Sequence, residues 1–179
     1  MATSNDHKIE KMLMARRLLL RGLANQAVQL ESGVGEKYIR VLGTDLRNNY
    51  NRAFKQRERK LRNVLRQIEN IISNKAAVAD TTLFLSVYER LGGSSVSENV
   101  DTDVMTEAYR LYLQLRIEAH LPEKSKFTYS DVWVLARNLR RAEIVKTMCK
   151  ECRSHYYYAV SQTARDDCPF CNPPGRRPE

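Results

Sequence analysis

The order of apolar and polar residues along the chain predicts a mainly helical protein. Apolar residues recur at helical spacing over residues 9–30, without a proline, and this pattern predicts a first helix. A polar turn over residues 31–36 separates it from a second helical pattern, which carries Tyr38, Ile39, Leu42 and Leu46. The two patterns together predict a pair of helices near the N-terminus.

The turn between these helices favours a helix-turn-helix-like pair over about residues 13–47. Gly33 stands where such a turn needs a left-handed backbone, a conformation that residues with a side chain resist. Gln29 departs from the motif, because a small residue usually stands four positions before the glycine, and an ordinary αα-hairpin is the alternative. In the helix-turn-helix interpretation, Lys37 and Arg40 lie on the outer face of a recognition helix, in position for a major groove.

A basic segment follows the helix pair. The apolar pattern continues and predicts one long helix over about residues 47–72, with eight Lys or Arg residues against two Glu. A solvated helix face is the alternative, but the density of positive charge favours contact with phosphate groups. The candidates for contact with a DNA backbone are Arg47, Arg52, Lys55, Arg59 and Arg62.

Farther along the chain, the pattern predicts more helices and one strand. A helix over about residues 76–91 ends at a pair of glycines, and residues 92–103 form a loop long enough to be a linker. The remaining predicted elements are a helix between residues 101 and 122, a helix through residues 132–139 and a strand over residues 154–160.

Four cysteines near the C-terminus form the most specific motif of the sequence, C-x₂-C-x₁₅-C-x₂-C. Two such pairs, brought together by a hairpin, supply the four thiolates that a tetrahedral Zn²⁺ prefers and leave no position for water. Two disulfides are the alternative, but the charged N-terminus shows no apolar segment with a cleavage site, which favours a reducing compartment. We therefore expect one structural Zn²⁺, with the ligands Cys149, Cys152, Cys168 and Cys171.

These patterns define the expected fold class and domains. The fold is expected to be mainly α, a helical body with an N-terminal helix-turn-helix-like pair and a small C-terminal Cys₄ zinc-ribbon-like module. Residues 1–145 would form the body that binds DNA and a partner. Residues 146–179 would form the zinc module, with a basic, proline-rich tail.

Charge and composition reduce the number of possible functions. The net charge of +9 and the pI near 9.5 point to a polyanionic partner, nucleic acid before an anionic membrane. No apolar run approaches the roughly 18 residues of a membrane span, so we expect no membrane partner. The sequence contains no Gly-rich phosphate loop, no G-x-S-x-G and no H-E-x-x-H, and its three histidines are scattered. We therefore expect that the protein is not an enzyme.

Several blocks of the sequence resemble the FlhC family of flagellar transcriptional activators. They are residues 30–32 with 39–42, the AYRLYL block at 108–113, the VWVLAR block at 132–137, and the two cysteine pairs with the Asn-Pro-Pro that follows the last cysteine. The resemblance implies an all-α body with a zinc-bound C-terminal module, in which the four cysteines are the ligands. It also implies a hetero-oligomer with a smaller FlhD-like partner that binds double-stranded promoter DNA and recruits RNA polymerase.

The sequence departs from the family after the helix pair. The basic segment stands where FlhC proteins have a proline-rich loop and an aromatic segment, and no proline occurs before residue 122. In this respect the chain is more similar to the FlhC-like activators of conjugative elements, of the AcaC and SetC kind. That similarity implies a cytoplasmic bacterial activator of conjugative transfer genes, with flagellar genes as the runner-up.

Two hypotheses that assign the protein to other functional classes remain. A zinc-stabilised protein-interaction adaptor would dock a partner on its helices, and the net negative segment 73–131 fits that interpretation. Binding of RNA through the zinc ribbon would use Tyr156 and Tyr158, which lie on the same face of the predicted strand, but packing of these rings over the zinc site is the simpler explanation.

Overall fold

The computed structural model describes residues 4–49, 65–121, 126–162 and 168–171 of the chain. Within these ranges the fold is mainly helical, as predicted, with eight helices and one two-stranded sheet. The chain divides into two compact units, one formed by Met1–Leu65 with Thr128–Ser130 and the other by Arg66–Phe127 with Asp131–Glu179. The division at residue 145 that the sequence predicts stays a prediction.

Three helices that pack on one another form the described part of the first unit. They are α1 (Ser4–Arg21), α2 (Asn25–Ser32) and α3 (Glu36–Asn49). Aliphatic residues at helical spacing form its core, which includes Ala15, Leu18, Ala27, Val28, Ile39 and Leu46. The hydroxyl group of Ser130 belongs to the same unit, where it accepts a hydrogen bond from the Ala24 N–H at 3.0 Å.

The prediction of one continuous helix over residues 9–30 is wrong. The first helix ends at Arg21, because Gly22 takes a left-handed backbone with φ of 92°. The Leu23 N–H then donates a hydrogen bond to the Leu18 carbonyl at 3.1 Å and closes the end of the helix. The apolar spacing did not show this break, since α1 and α2 bury their apolar faces in the same core.

The turn between α2 and α3 has the geometry predicted for it. Gly33 caps α2 in the left-handed region, with φ of 65° and ψ of 15°, and its N–H donates to the Gln29 carbonyl. The Gly35 carbonyl accepts from the N–H groups of Tyr38 and Ile39 at the start of α3. The helix-turn-helix-like pair is therefore α2 and α3, and α1 packs against both.

The predicted basic helix over about residues 47–72 is only partly covered by the described residues. Helix α3 ends at Asn49, and residues 50–64, with Arg52, Lys55, Arg59 and Arg62, lie outside the described ranges. At its C-terminal end the prediction is wrong, because residues 65–67 are not helical and Gln67 has extended backbone before the short α4 (Ile68–Ile71). Ile68, Ile71 and Ile72 are buried there, and burial alone explains their apolar pattern.

Two long helices, α5 (Lys75–Gly92) and α7 (Thr102–Glu118), pack together in the second unit. The side chains of Asn74 and Asp101 cap their first turns by accepting hydrogen bonds from backbone N–H groups. An aromatic cluster lies between them, with the rings of Phe84, Tyr88, Tyr112 and Phe127 about 6 Å apart.

An ion pair is buried beside these rings. The Arg116 guanidinium donates to the Asp80 carboxylate at 2.5 Å, and both side chains are at least 96% buried. The Tyr112 hydroxyl donates to the same carboxylate at 2.9 Å, and burial raises the pKa of this tyrosine above its usual value. The pair therefore joins α5 to α7 through charged groups that are both hydrogen-bonded.

The prediction of a linker loop over residues 92–103 is wrong in its interior. Gly93, with φ of 58°, ends α5 as the glycine pair predicted, but a short helix α6 (Ser95–Glu98) follows at once. Val96 of this helix is buried, and a Cβ on Gly92 would overlap its side chain. The glycine therefore allows the close approach that folds the segment against α5.

A last helix and a hairpin complete the described helices and strands. In α8 (Tyr129–Arg140), the run from Tyr129 to Ala136 is buried. Strands β1 (Ile144–Met148) and β2 (His155–Ala159) pair antiparallel, with Ile144 opposite Ala159 and Met148 opposite His155. The second strand confirms the prediction for residues 154–160, whereas the first was not predicted. Among the described helices, none has the length and apolar character that a membrane crossing needs.

Candidate metal centre and nucleic-acid interface

The hairpin places the first pair of cysteines in a tight turn. Strand β1 ends at Met148, and the Cys149 N–H donates to the Ser154 carbonyl at 2.9 Å. The Arg153 N–H donates back to the Cys149 carbonyl at 3.0 Å, with φ of 59° at Arg153. This left-handed residue turns the chain so that the Cys149 and Cys152 side chains lie on one side.

The second pair of cysteines lies on a turn of its own. Cys168 is buried, and its sulfur accepts a hydrogen bond from the Phe170 N–H at 3.4 Å. Cys171 follows at the end of this turn, with an intermediate exposure. The intervening residues 163–167 lie outside the described ranges.

All four cysteines are free thiols, and their sulfur atoms lie within 4.8 Å of one another. The Sγ atoms of Cys149 and Cys171 are 3.6 Å apart, and those of Cys152 and Cys168 are also 3.6 Å apart. Sulfurs bound at about 2.3 Å to one tetrahedral ion are separated by about 3.8 Å, so the spacing fits such an ion. The group is therefore able to hold a metal ion.

Neighbouring groups shift the pKa values of three of the thiols in different directions. Hydrogen bonds with Ser154 lower the pKa of the Cys152 thiol to about 6, which favours the thiolate at neutral pH. Burial raises the pKa of Cys168, and hydrogen bonds with the thiols of Cys152 and Cys149 raise that of Cys171. A bound cation would reverse these upward shifts, because it stabilises the thiolate form of each ligand.

Contacts with α5 hold the hairpin that carries Cys149 and Cys152. The Tyr157 N–H donates to the Thr82 hydroxyl at 3.2 Å, and the Tyr157 hydroxyl donates to the Glu89 carboxylate at 2.5 Å. Burial and the bond to Glu89 raise the pKa of Tyr157 to about 12, so the hydroxyl remains a donor at neutral pH. Lys146 of β1 also donates to Glu89, at 2.9 Å. The metal centre therefore begins on a hairpin fixed to a long helix.

The exposed face of α3 is the second candidate site. The buried residues Ile39 and Leu46 mark the face of the helix that packs on the core. Four exposed residues at spacings of four, three and four positions lie on the opposite face, which we call the outward face. They are Lys37, Val41, Thr44 and Asn48.

Arg40 and Arg47 lie on one side of this outward face. The Arg40 guanidinium is ion-paired with the Glu36 carboxylate at 2.5 Å, and both side chains are exposed. Arg47 donates a hydrogen bond to the Thr44 hydroxyl at 2.9 Å. The structure thus brings three predicted contacts, Lys37, Arg40 and Arg47, to one helix, with Lys37 the most central.

Some residues of the candidate interface were not predicted. Lys11 of α1 places its ammonium group at the turn, 3.9 Å from the position that a Cβ on Gly33 would occupy. This proximity comes from the packing of α1 on α2, and no local signal predicts it. The sequence alone could have predicted Val41, Thr44 and Asn48, because they follow Lys37 at helical spacing.

The last basic residue of the segment over residues 47–72 also has a structural partner. Arg66 makes a bidentate pair with Asp131, with its Nε 2.7 Å and its terminal nitrogen 2.5 Å from the two carboxylate oxygens. Asp131 is buried, whereas Arg66 is partly exposed. This pair ties the segment before α4 to α8.

The comparison with protein families decides the classification. The family model that describes the flagellar transcriptional activator FlhC matches residues 70–179, which is more than half of the chain. The chain belongs to the FlhC family. No curated protein matches it. The resemblance noted in the sequence is thus confirmed at the level of the family, which is one of transcriptional activators.

The FlhC match covers one of the two candidate sites. It includes α5, α7, α8, the hairpin and all four cysteines, so the metal centre lies inside it. Helices α1 to α3 precede residue 70 and lie outside it. Membership of the FlhC family therefore rests on the second unit, whereas the outward face of α3 is a feature of the first.

Proposed function

We propose that this FlhC-family chain is the DNA-binding subunit of a hetero-oligomeric transcription activator in the bacterial cytoplasm. It acts with an FlhD-like partner, binds double-stranded promoter DNA and recruits RNA polymerase. The observation that carries the proposal is the outward face of α3, which follows a left-handed glycine turn and has three cationic residues on or beside it. A major groove admits such a helix, and its cations complement the phosphates on either side.

The proposed DNA contacts fall into two classes. Lys37 and Arg40 lie in the first half of α3, where a recognition helix contacts base edges. The residues proposed to bind phosphate groups are Arg47, Arg52, Lys55, Arg59 and Arg62, of which only the first lies in the described ranges. Lys11 joins this second class, because its ammonium group lies at the turn that precedes the recognition helix.

We further propose that Cys149, Cys152, Cys168 and Cys171 hold one structural Zn²⁺. Four thiolates complete its coordination, so the ion fixes the two turns against each other and leaves no position for a reacting water. The sulfur spacing and the absence of disulfides support this assignment. Residues 146–179 are then the zinc module, and residues 1–145 the body that binds DNA and the partner.

The proposed targets are the conjugative transfer genes of a mobile element. The support for this choice is the basic segment of residues 47–72, which departs from the proline-rich loop and aromatic segment that a resemblance to the flagellar members implies there. Flagellar genes are the alternative targets, since the family takes its description from them. The binding experiment therefore compares promoters of transfer genes with promoters of flagellar genes.

The experiment measures the binding of labelled promoter duplexes by fluorescence anisotropy, with the chain co-expressed with its FlhD-like companion. We expect tight binding to transfer promoters and a steep loss of affinity with salt. The variant Lys55→Glu with Arg59→Glu should weaken binding to every sequence and reduce the salt slope by about 2, roughly 1 per phosphate contact.

A matched variant controls for the change in net charge. Arg90→Glu with Arg140→Glu reverses two exposed cations of the second unit, away from the cysteines, and should leave the affinity and the salt slope close to those of the wild type. Equal losses in the two variants would contradict the assigned phosphate contacts. Binding of no promoter at any salt concentration would contradict the DNA-binding function itself.

An adaptor function is the second candidate. Ile9 and Leu13 of α1 are both more than half exposed and lie one helical turn apart, which favours contact with another protein. An adaptor would bind its protein partner in the presence of salt and would show no affinity for duplex DNA. The anisotropy experiment distinguishes the two functions.

A further inference from the structure

Val41 is an apolar residue among the polar residues of the outward face of α3. Its side chain is 60% exposed, although its neighbours on that face are Lys37, Thr44 and Asn48. Single exposed apolar residues are common on protein surfaces, so exposure alone assigns it no role. The position of Val41 is more informative. It lies on the line from Lys37 to Asn48, in the first half of α3, where a recognition helix contacts base edges.

The surroundings of Val41 present both polar and apolar groups. A shallow depression runs along this face and is lined by Arg40, Val41, Thr44, Asp45 and Asn48. The Thr44 hydroxyl is engaged within the helix, because it donates to the Arg40 carbonyl and accepts from Arg47. Asp45 accepts a hydrogen bond from Asn49 at 2.6 Å. Val41 therefore presents two methyl groups between side chains that are held by one another.

The major groove offers one apolar group for such a side chain. Thymine carries a C5-methyl group at the groove edge, and small apolar side chains recognise it by direct contact. Lys37, Arg40 and Arg47 outnumber the two acidic residues of this helix, Glu36 and Asp45, and this excess of positive charge favours a polyanion over a neutral or basic protein surface. Duplex DNA is the occupant that satisfies both features.

We propose that Val41 is a specificity-determining residue that contacts the C5-methyl group of a thymine in the major groove. This inference rests on the proposed DNA-binding function and adds to it the identity of one base. The contact buries the methyl group of one base and does not involve the DNA backbone. Loss of the contact should therefore change the preference at that base pair alone.

The test compares thymine with deoxyuridine, which lacks only the C5-methyl group. Duplexes are first selected from a pool of random-sequence DNA, both by the full chain alone and by the full chain with its FlhD-like companion. Each thymine of a selected duplex is then replaced in turn, and binding of the wild type and of Val41→Ala is measured. At one position the wild type should lose about fourfold in affinity, the effect of one buried methyl group.

The variant makes the result specific to Val41. Val41→Ala should bind the thymine duplex about fourfold more weakly than the wild type and should lose nothing further with deoxyuridine at that position. The control Ile117→Ala, which shortens an exposed aliphatic residue of α7, should keep the wild-type pattern.

Three outcomes would overturn the inference. If the wild type binds tightly but no thymine position responds, or if Val41→Ala retains the full response, Val41 does not read a methyl group, and the proposed DNA-binding function stands. If neither the full chain alone nor the full chain with its companion enriches any duplex from the pool, this inference and the proposed function both fail.

Discussion

The two compact units of this FlhC-family chain are stabilised by different kinds of contact. In the first unit, the buried side chains of α1 to α3 are aliphatic, with Ser32 as the exception, and Gly33 makes the turn between α2 and α3. In the second unit, the charged groups of Asp80 and Arg116 are buried together beside an aromatic cluster, and four cysteines meet next to a hairpin.

The same division separates the residues that identify the family from those proposed to read DNA. The FlhC match begins at residue 70, so its range includes the Asp80–Arg116 pair, the aromatic cluster and the four cysteines of the second unit. The outward face of α3 lies in the first unit, outside the match. The family match therefore covers the metal centre, whereas the residues proposed to read DNA lie outside it.

Removal of the proposed Zn²⁺ should produce the largest difference in stability between the two units. Structural zinc contributes apparent free energies of about 10–16 kcal/mol to the folding of small Cys-rich sites. With an excess of chelator at pH 7, the hairpin of β1 and β2 should lose its protection against hydrogen exchange, while α1 to α3 keep theirs. Hydrogen exchange with peptide-level mass spectrometry measures both in one experiment.

The variant Cys168→Ser is the matched test without chelator. It removes a buried sulfur that is a proposed metal ligand and nearly keeps the size of the side chain, so the same peptides of the hairpin should lose protection. A colorimetric assay of metal released on denaturation should find one Zn²⁺ for each wild-type chain and much less for the variant. Equal loss of protection in α1 to α3 would contradict the separation of the two units.

The buried ion pair should give the next largest effect. Asp80→Ala leaves the Arg116 guanidinium buried without its carboxylate, and the free energy of unfolding should fall by about 3–5 kcal/mol. Urea denaturation followed by the fluorescence of the buried Trp133 measures the loss in the second unit. The control Glu107→Ala breaks an exposed pair with Arg110 on the same helix and should have little effect.

A double variant distinguishes an unpaired charge from a simple loss of packing. Asp80→Leu with Arg116→Met replaces both charges by apolar groups and should recover much of the stability that Asp80→Ala loses. If the double variant is as unstable as the single one, the shape of the side chains matters here and the charge does not.

The comparison of the two units also explains what the sequence could predict. The metal centre was predictable because its ligands come in two short local pairs whose spacing is set by the coordination of the ion. The turn at Gly33 was predictable because one residue type fits its backbone. The Asp80–Arg116 pair was not, since its partners are separated by 36 positions and neither shows a local pattern.

Two errors in the helix prediction have a common cause. The break at Gly22 and the helix within residues 92–103 both depend on how an element packs, and apolar spacing reports burial without reporting where a helix ends. The same limit applies to Lys11, whose position at the turn is set by tertiary packing. Local chemistry was thus visible in the sequence, and contacts between distant segments were not.

The turn of the first unit should give the smallest of these effects. Gly33→Ala places a Cβ on a backbone with φ of 65°, which costs about 1–2 kcal/mol, although the space around it is open. Gly35→Ala is the matched control two residues away, where the backbone is not left-handed and a Cβ meets no atom within 4 Å. Its effect should stay within about 0.5 kcal/mol or be stabilising, because alanine restricts the unfolded chain.

Hydrogen exchange locates this effect in the molecule. Gly33→Ala should reduce protection in α1 to α3 and leave the peptides of the hairpin and of α5 as in the wild type. Because α2 and α3 meet at this turn, the strain should also weaken DNA binding for every sequence alike, unlike the single-position effect expected of Val41→Ala. Equal destabilisation by the Gly33 and Gly35 variants would mean that the left-handed backbone does not set the geometry of the helix pair, and the structural argument for α3 as the reading helix would fail with it.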